Sequence, residues 1–85
     1  MFAANIEVKT IKNKNYRKVI YTDKYMQIVL MSIPSGGSIP LESHKGSQFI
    51  RVEQGSGSIR FGAERKKIKI LKSDIAVVIP PNMKH

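Results

Sequence analysis

Cysteine is absent from the 85-residue chain, so no disulfide stabilises it and no thiolate zinc site can form. Long apolar runs are missing too. The purest ones, Ile28 to Met31 and Ile75 to Ile79, fall far short of the roughly 20 residues a helix needs to cross a bilayer. The opening residues, Met1-Phe2-Ala3-Ala4-Asn5-Ile6-Glu7, lack a basic region followed by a long apolar stretch, so no signal peptide is expected. These absences point to a soluble protein with no membrane partner, with the cytoplasm as the default location. At this length the chain is expected to form a single domain, 1–85. A domain so small buries a modest share of its surface, so a partner subunit would help it.

Acidic residues are scarce: 6 Asp and Glu stand against 15 Lys and Arg, for a net charge of +9. Such a field attracts anions and steers them without specifying them. The positive charge gathers at Lys9, Lys12, Lys14, Arg17 and Lys18, and again along Arg65-Lys66-Lys67-Ile68-Lys69-Ile70-Leu71-Lys72. In the second stretch Lys67 and Lys69 alternate with Ile68 and Ile70, the pattern of a strand whose one wet face carries lysines that discourage edge pairing. Aromatic side chains for base stacking are not interleaved with these charges, so nucleic acid is not an expected partner.

No segment of ten or more residues carries a convincing apolar period of 3.6. Short β-rich runs recur instead, separated by Gly, Pro, Ser and Asn. Strands are expected near Ile6 to Thr10, Arg17 to Tyr21, Met26 to Ile33, Gln48 to Glu53, Gly57 to Phe61, Lys66 to Leu71 and Ile75 to Ile79. Pro34-Ser35-Gly36-Gly37-Ser38-Ile39-Pro40 is a turn-rich connection, Gln54-Gly55-Ser56-Gly57 a hairpin-type turn, and Gly62-Ala63-Glu64 suits another. Gln27 to Ile33 and Ile75 to Ile79 are apolar on both faces, as in strands buried on both sides. Short strands at this spacing predict an all-β fold, either sandwich or barrel.

One constellation carries chemistry. In a strand, Glu42 and His44 point to the same face. Gln48 begins the next strand, with Ile50 and Val52 on its side. Phe49, Arg51 and Glu53 face the other way, where Arg51 is expected to pair with a neighbouring acid. His85 follows Pro80-Pro81-Asn82. Together the residues read Gly36, five residues, Glu42-Ser43-His44, three residues, Gln48, six residues, Gly55; then Asp74, five residues, Pro80-Pro81-Asn82, two residues, His85. This resembles the two motifs of the cupin family, with Glu-x-His replacing His-x-His and Gln48 replacing a glutamate. Asn82 stands at a glycine position and, like glycine, tolerates the left-handed conformation. The resemblance covers about Asn15 to His85 and is similar to a subgroup of small one-domain cupins.

The resemblance implies an antiparallel cupin-type β-barrel, or jelly roll, incomplete at its C-terminal end. Either the chain is a fragment of a longer one or a second subunit, as in a homodimer, covers the gap. It also implies metal ligands at Glu42, His44, Gln48 and His85, and a pocket for a small molecule lined by Ile50, Val52 and Phe61. Fe, Mn, Ni or Zn suits such nitrogen and oxygen donors. Three functions stay open: a metal-dependent enzyme of dioxygenase or sugar-isomerase type, a non-catalytic ligand-binding module, and a structural barrel. His85, as the last residue, is expected to fray unless something pins it.

Overall fold

The computed structural model describes residues 1–62 and 67–85, which fall into two compact units, 1–39 and 40–85. The chain is mostly strand, arranged among the described residues as three two-stranded antiparallel sheets with one short helix. Neither unit closes a barrel by itself among those residues.

The first unit opens with helix α1 (Ile6–Lys12), where the alternation of Ile6, Val8 and Thr10 predicts a strand. The end groups decide against the alternation. Asn5 caps the helix by accepting a hydrogen bond from Val8 N–H at 3.0 Å. Glu7 sits in the first turn and Lys9 and Lys12 in the last, each matched to the sign of the helix dipole. A seven-residue helix is too short to persist alone; the Phe2 ring that precedes it rests 5.2 Å from that of Tyr21.

Strands β1 (Arg17–Thr22) and β2 (Gln27–Met31) form a hairpin whose register shifts between Val19 and Tyr21. Asp23 builds its turn: one carboxylate oxygen accepts from the Tyr25 and Met26 N–H groups at 2.7 and 2.9 Å, and the other accepts from the Tyr21 hydroxyl at 2.6 Å. Tyr21 is thus partly a polar anchor, while Tyr25 is exposed rather than packed. Leu30 on β2 is the buried residue of this unit, but Gln27 and Ile33 at the ends of that run are exposed. Between those ends Ile28, Val29 and Met31 are half-buried, so both faces of the strand are covered in part.

The second unit pairs β3 (Gln48–Arg51) with β6 (Ala76–Ile79), and β4 (Ser56–Phe61) with β5 (Lys67–Lys72). The glycine-rich turn after β3 therefore hands the chain to a different sheet instead of closing a β3–β4 hairpin. It spans Glu53 to Gly55, with Gly55 at positive φ and its N–H donating to the Ser73 hydroxyl at 3.1 Å. Of the expected turn Gly62-Ala63-Glu64 the described part is Gly62, at positive φ; the rest of it and the start of the strand at Lys66 lie outside the described residues. Leu71 and Ile79 are the buried apolar residues of this unit.

Two faces differ from expectation. On β6, Val78 is 65% exposed beside its partner Phe49 at 67%, so this strand is dry on one side only. On β5, antiparallel pairing sets Leu71 opposite Gly57, Lys69 opposite Ile59 and Lys67 opposite Phe61. Partners share a face, so the lysines lie on the side of buried Leu71 while Ile68 and Ile70 are exposed on the other. The alternation is real and the lysines are exposed as expected, but Ile68 and Ile70 are exposed as well and the one buried residue lies on the lysine side.

Candidate metal centre

The β3–β6 ladder continues past its assigned ends. Glu42 and His85 exchange both backbone hydrogen bonds, Glu42 N to His85 O at 2.9 Å and His85 N to Glu42 O at 3.1 Å. Six residues further along each strand, Gln48 opposes Ile79 in the same register. Alternation sets Gln48 and Ile50 on the face of Ile79, while Glu42, His44 and His85 lie beyond a bend at Lys45–Gly46 and a turn at Pro81–Asn82. Glu42, Gln48, Ile50 and His85 are half-buried and Ile79 is buried, while His44 is exposed.

His85 is therefore not a frayed end. Besides the Glu42 exchange, the Lys84 carbonyl accepts from Gly62 N–H at 3.2 Å, and Asn82 N–H donates to the His44 carbonyl at 2.6 Å. Asn82 sits at φ 65°, the left-handed conformation its place in the motif calls for.

The side chains converge. One donor atom each from Glu42, His44 and His85 lies within 4.8 Å of the others, and the two imidazole centroids are 5.9 Å apart. His44 Nε2 stands 2.8 Å from Glu42 Oε2 and donates its proton to that carboxylate. His85 Nδ1 donates to the Met83 carbonyl at 2.9 Å. That bond leaves Nε2 as the bare lone pair, and His85 Nε2 is buried with no hydrogen-bond partner among the described residues. Fixing one ring nitrogen on a backbone carbonyl so that the other is a free donor is how protein metal ligands are commonly oriented.

Gln48 adds a second orphan: its side-chain oxygen is buried and accepts no hydrogen bond. A buried acceptor without a donor costs about 1–3 kcal/mol, a cost that a cation or a ligand hydroxyl would remove. The two imidazoles and one carboxylate brought together form a nitrogen–oxygen donor set, compatible with Fe, Mn, Ni or Zn, and no distance places the expected ligand Gln48 among them. The residues present thus fit a divalent ion.

Around this face, Ile50 and Phe61 are half-buried on β3 and β4. Val52 is also half-buried, and its backbone holds the Asp74–Ile75 turn through bonds of 2.8 and 3.0 Å. A groove lined by Gly62, Pro80, Pro81, Asn82, Met83 and Lys84 runs beside His85. Arg51 pairs with two acids, Glu53 and, at 3.0 Å, Asp74. Glu53 itself turns inward, its side chain only 3% exposed, so it does not share the outer face of Phe49. The buried Glu53, with one oxygen unpartnered, escaped sequence reading because strand alternation ends at Arg51.

No family model matches the chain. It is 34% identical over 88 residues to the uncharacterised protein YrkC of Bacillus subtilis, a match covering 99% of this chain and 47% of YrkC. It is 33% identical over 86 residues to the uncharacterised protein L612 of Acanthamoeba polyphaga mimivirus, covering 100% of this chain and 54% of L612. The crystal structure of BH2720 from Bacillus halodurans matches with a TM-score of 0.92 at 34% identity, over 98% of this chain and 66% of that one. The chain spans about half the length of the curated relatives it matches, and its fold is similar to that of BH2720 over nearly all of its residues.

Proposed function

We propose that this chain is a cupin-type jelly-roll domain that holds a divalent metal through Glu42, His44 and His85 and offers it to a small polar molecule. The observation that carries the reading is the oriented, buried and unpartnered Nε2 of His85 within 4.8 Å of donors from Glu42 and His44. Gln48 would supply a neutral oxygen. Met83 keeps the His85 ring in its donor tautomer, and the Glu42–His85 backbone pair holds the two ligands in register. Bound there, the ion would supply Lewis-acid or oxygen-activating chemistry of the dioxygenase or sugar-isomerase kind. Ile50, Val52 and Phe61 would form the apolar wall that limits water at the ligand.

Metal content decides the matter. Tag-free protein incubated with Fe(II), Mn(II), Ni(II) or Zn(II), then desalted, is expected to retain about one ion per chain. His44→Ala and His85→Ala are expected to lose it while keeping their circular dichroism. Wild type that retains none of the four ions overturns the metal reading and leaves a non-catalytic binding or structural barrel.

The adjacent Phe49 and Val78, exposed at 67% and 65%, favour a homodimer through the outer face of β3–β6. Sedimentation of Phe49→Ser against wild type tests this; a monomeric wild type at high concentration refutes it.

A further inference from the structure

A strand whose lysines, themselves exposed, share a face with its one buried residue, while isoleucines stand exposed on the other, breaks the ordinary rule of patterning. Such breaks concentrate at functional sites. Lys67 and Lys69 face the same way as Leu71, opposite half-buried Phe61 and Ile59, and neither has an ion-pair partner among the described residues. The stem of Lys67 passes close to Gly62, its Cδ 3.9 Å from where a Cβ on that glycine would stand. Gly62 in turn lines the groove with Met83 and Lys84 and bonds the Lys84 carbonyl, one residue from His85. Lys67 thus reaches the glycine at one end of this groove, and Lys84, the neighbour of His85, lines it too.

We infer that the small molecule taken up at this centre is an organic anion whose charge is met by Lys67 and Lys69. The proposal rests on the metal reading for the position of the ligand's other end, but not for the lysine site itself. Ammonium groups without an ion-pair partner among the described residues, set beside half-buried Phe61 and Ile59, attract an anionic group more strongly than the same charges in open water, because nearby low-dielectric atoms screen less. The overall charge of +9 draws anions to the molecule; the β5 face shared with Leu71 says where they stop. Lys72 provides an internal control, since it lies on the same strand, is exposed, and faces the other way opposite Ser56.

The test uses succinate as the probe and its neutral counterpart succinamide as the comparison. Both are titrated at low salt into Co(II)-loaded and metal-free protein, followed by amide chemical shifts. Succinate is expected to move the amides of Phe61, Gly62, Lys67 and Lys69, and succinamide to leave them in place. Lys67→Gln and Lys69→Gln are each expected to weaken succinate binding about fivefold, the effect of one partly exposed charge contact. Lys72→Gln is expected to change it by less than about twofold, and added salt to weaken it in wild type. Equal weakening by Lys72→Gln, unchanged binding in Lys67→Gln, or succinamide binding as well as succinate would each overturn the proposal. Co(II) content, measured in every variant, separates the readings. Retained cobalt with lost succinate supports the anion site, and absent cobalt with lysine-dependent succinate binding removes the metal reading and leaves the anion site standing.

Discussion

Asn82 is the hinge on which the centre depends, and its substitution gives a sharp prediction. Its φ of 65° places it in the left-handed region, and its N–H closes the bond to the His44 carbonyl that joins the two ligand-bearing segments. An L-residue with a Cβ pays about 1–2 kcal/mol in that region relative to glycine, and asparagine escapes part of this through its short polar side chain. Asn82→Gly is therefore expected to hold stability within a few tenths of a kcal/mol, gaining geometry and losing some chain entropy. Asn82→Ala is expected to lose about 1 kcal/mol, and Asn82→Val more, because a β-branched side chain fits the left-handed region worst. In a domain of this size each kcal/mol lowers Tm by roughly 4–8 °C. Thermal unfolding followed by circular dichroism reads the series directly, and Co(II) titration should rank it in the same order, since His85 is positioned by this turn. The reasoning fails if Asn82→Ala is as stable as Asn82→Gly, because a backbone in the ordinary right-handed or extended region would show that indifference.

Two further outcomes follow from the hairpin of the first unit. Leu30, 4% exposed on β2, should cost about 2–5 kcal/mol when cut to alanine, as buried leucines do; a urea midpoint within error of wild type would show that this hairpin has no core. Asp23 is held below the usual carboxylate range, first by the Tyr21 hydroxyl and then by the Tyr25 and Met26 N–H groups, while the same contact raises the Tyr21 phenol. A lowered acid stabilises the fold above its unfolded value near 4 and loses that contribution as pH falls through the folded value; a raised phenol contributes below about 10 and loses it as pH rises. Protection of the Tyr25 and Met26 amides, measured against their intrinsic exchange rates, should accordingly fall at both extremes. In Asp23→Ala that protection should already be lost at neutral pH, and its survival there would place its cause elsewhere.

The legible parts of this protein were those set by local chemistry. Period-2 runs located β1 to β6 to within a few residues, except where Lys66 lies outside the described region, because alternation and β-branched content act over five residues at a time. Motif spacing likewise singled out Glu42, His44 and His85, which the structure brings within 4.8 Å of one another. Helix α1 was missed because its signal is a cap and a pair of end charges over one stretch too short for a 3.6 period, and Ile6, Val8 and Thr10 imitate a strand there.

What the sequence determined alone, then, was the absence of cross-links, the excess of positive charge, the strand-rich character and the donor residues available for a metal. Tertiary structure decided which strands pair, sending the chain after Gly55 away from β3 and joining β3 to β6 across the sequence. It also decided which face of β5 is inward, and with it that Lys67 and Lys69, not Ile68 and Ile70, lie with Leu71. Finally it pinned His85 through backbone bonds to Glu42, a residue near the start of the same unit. Alternation states that two faces differ; only a partner strand, in a definite register, states which of them the core receives.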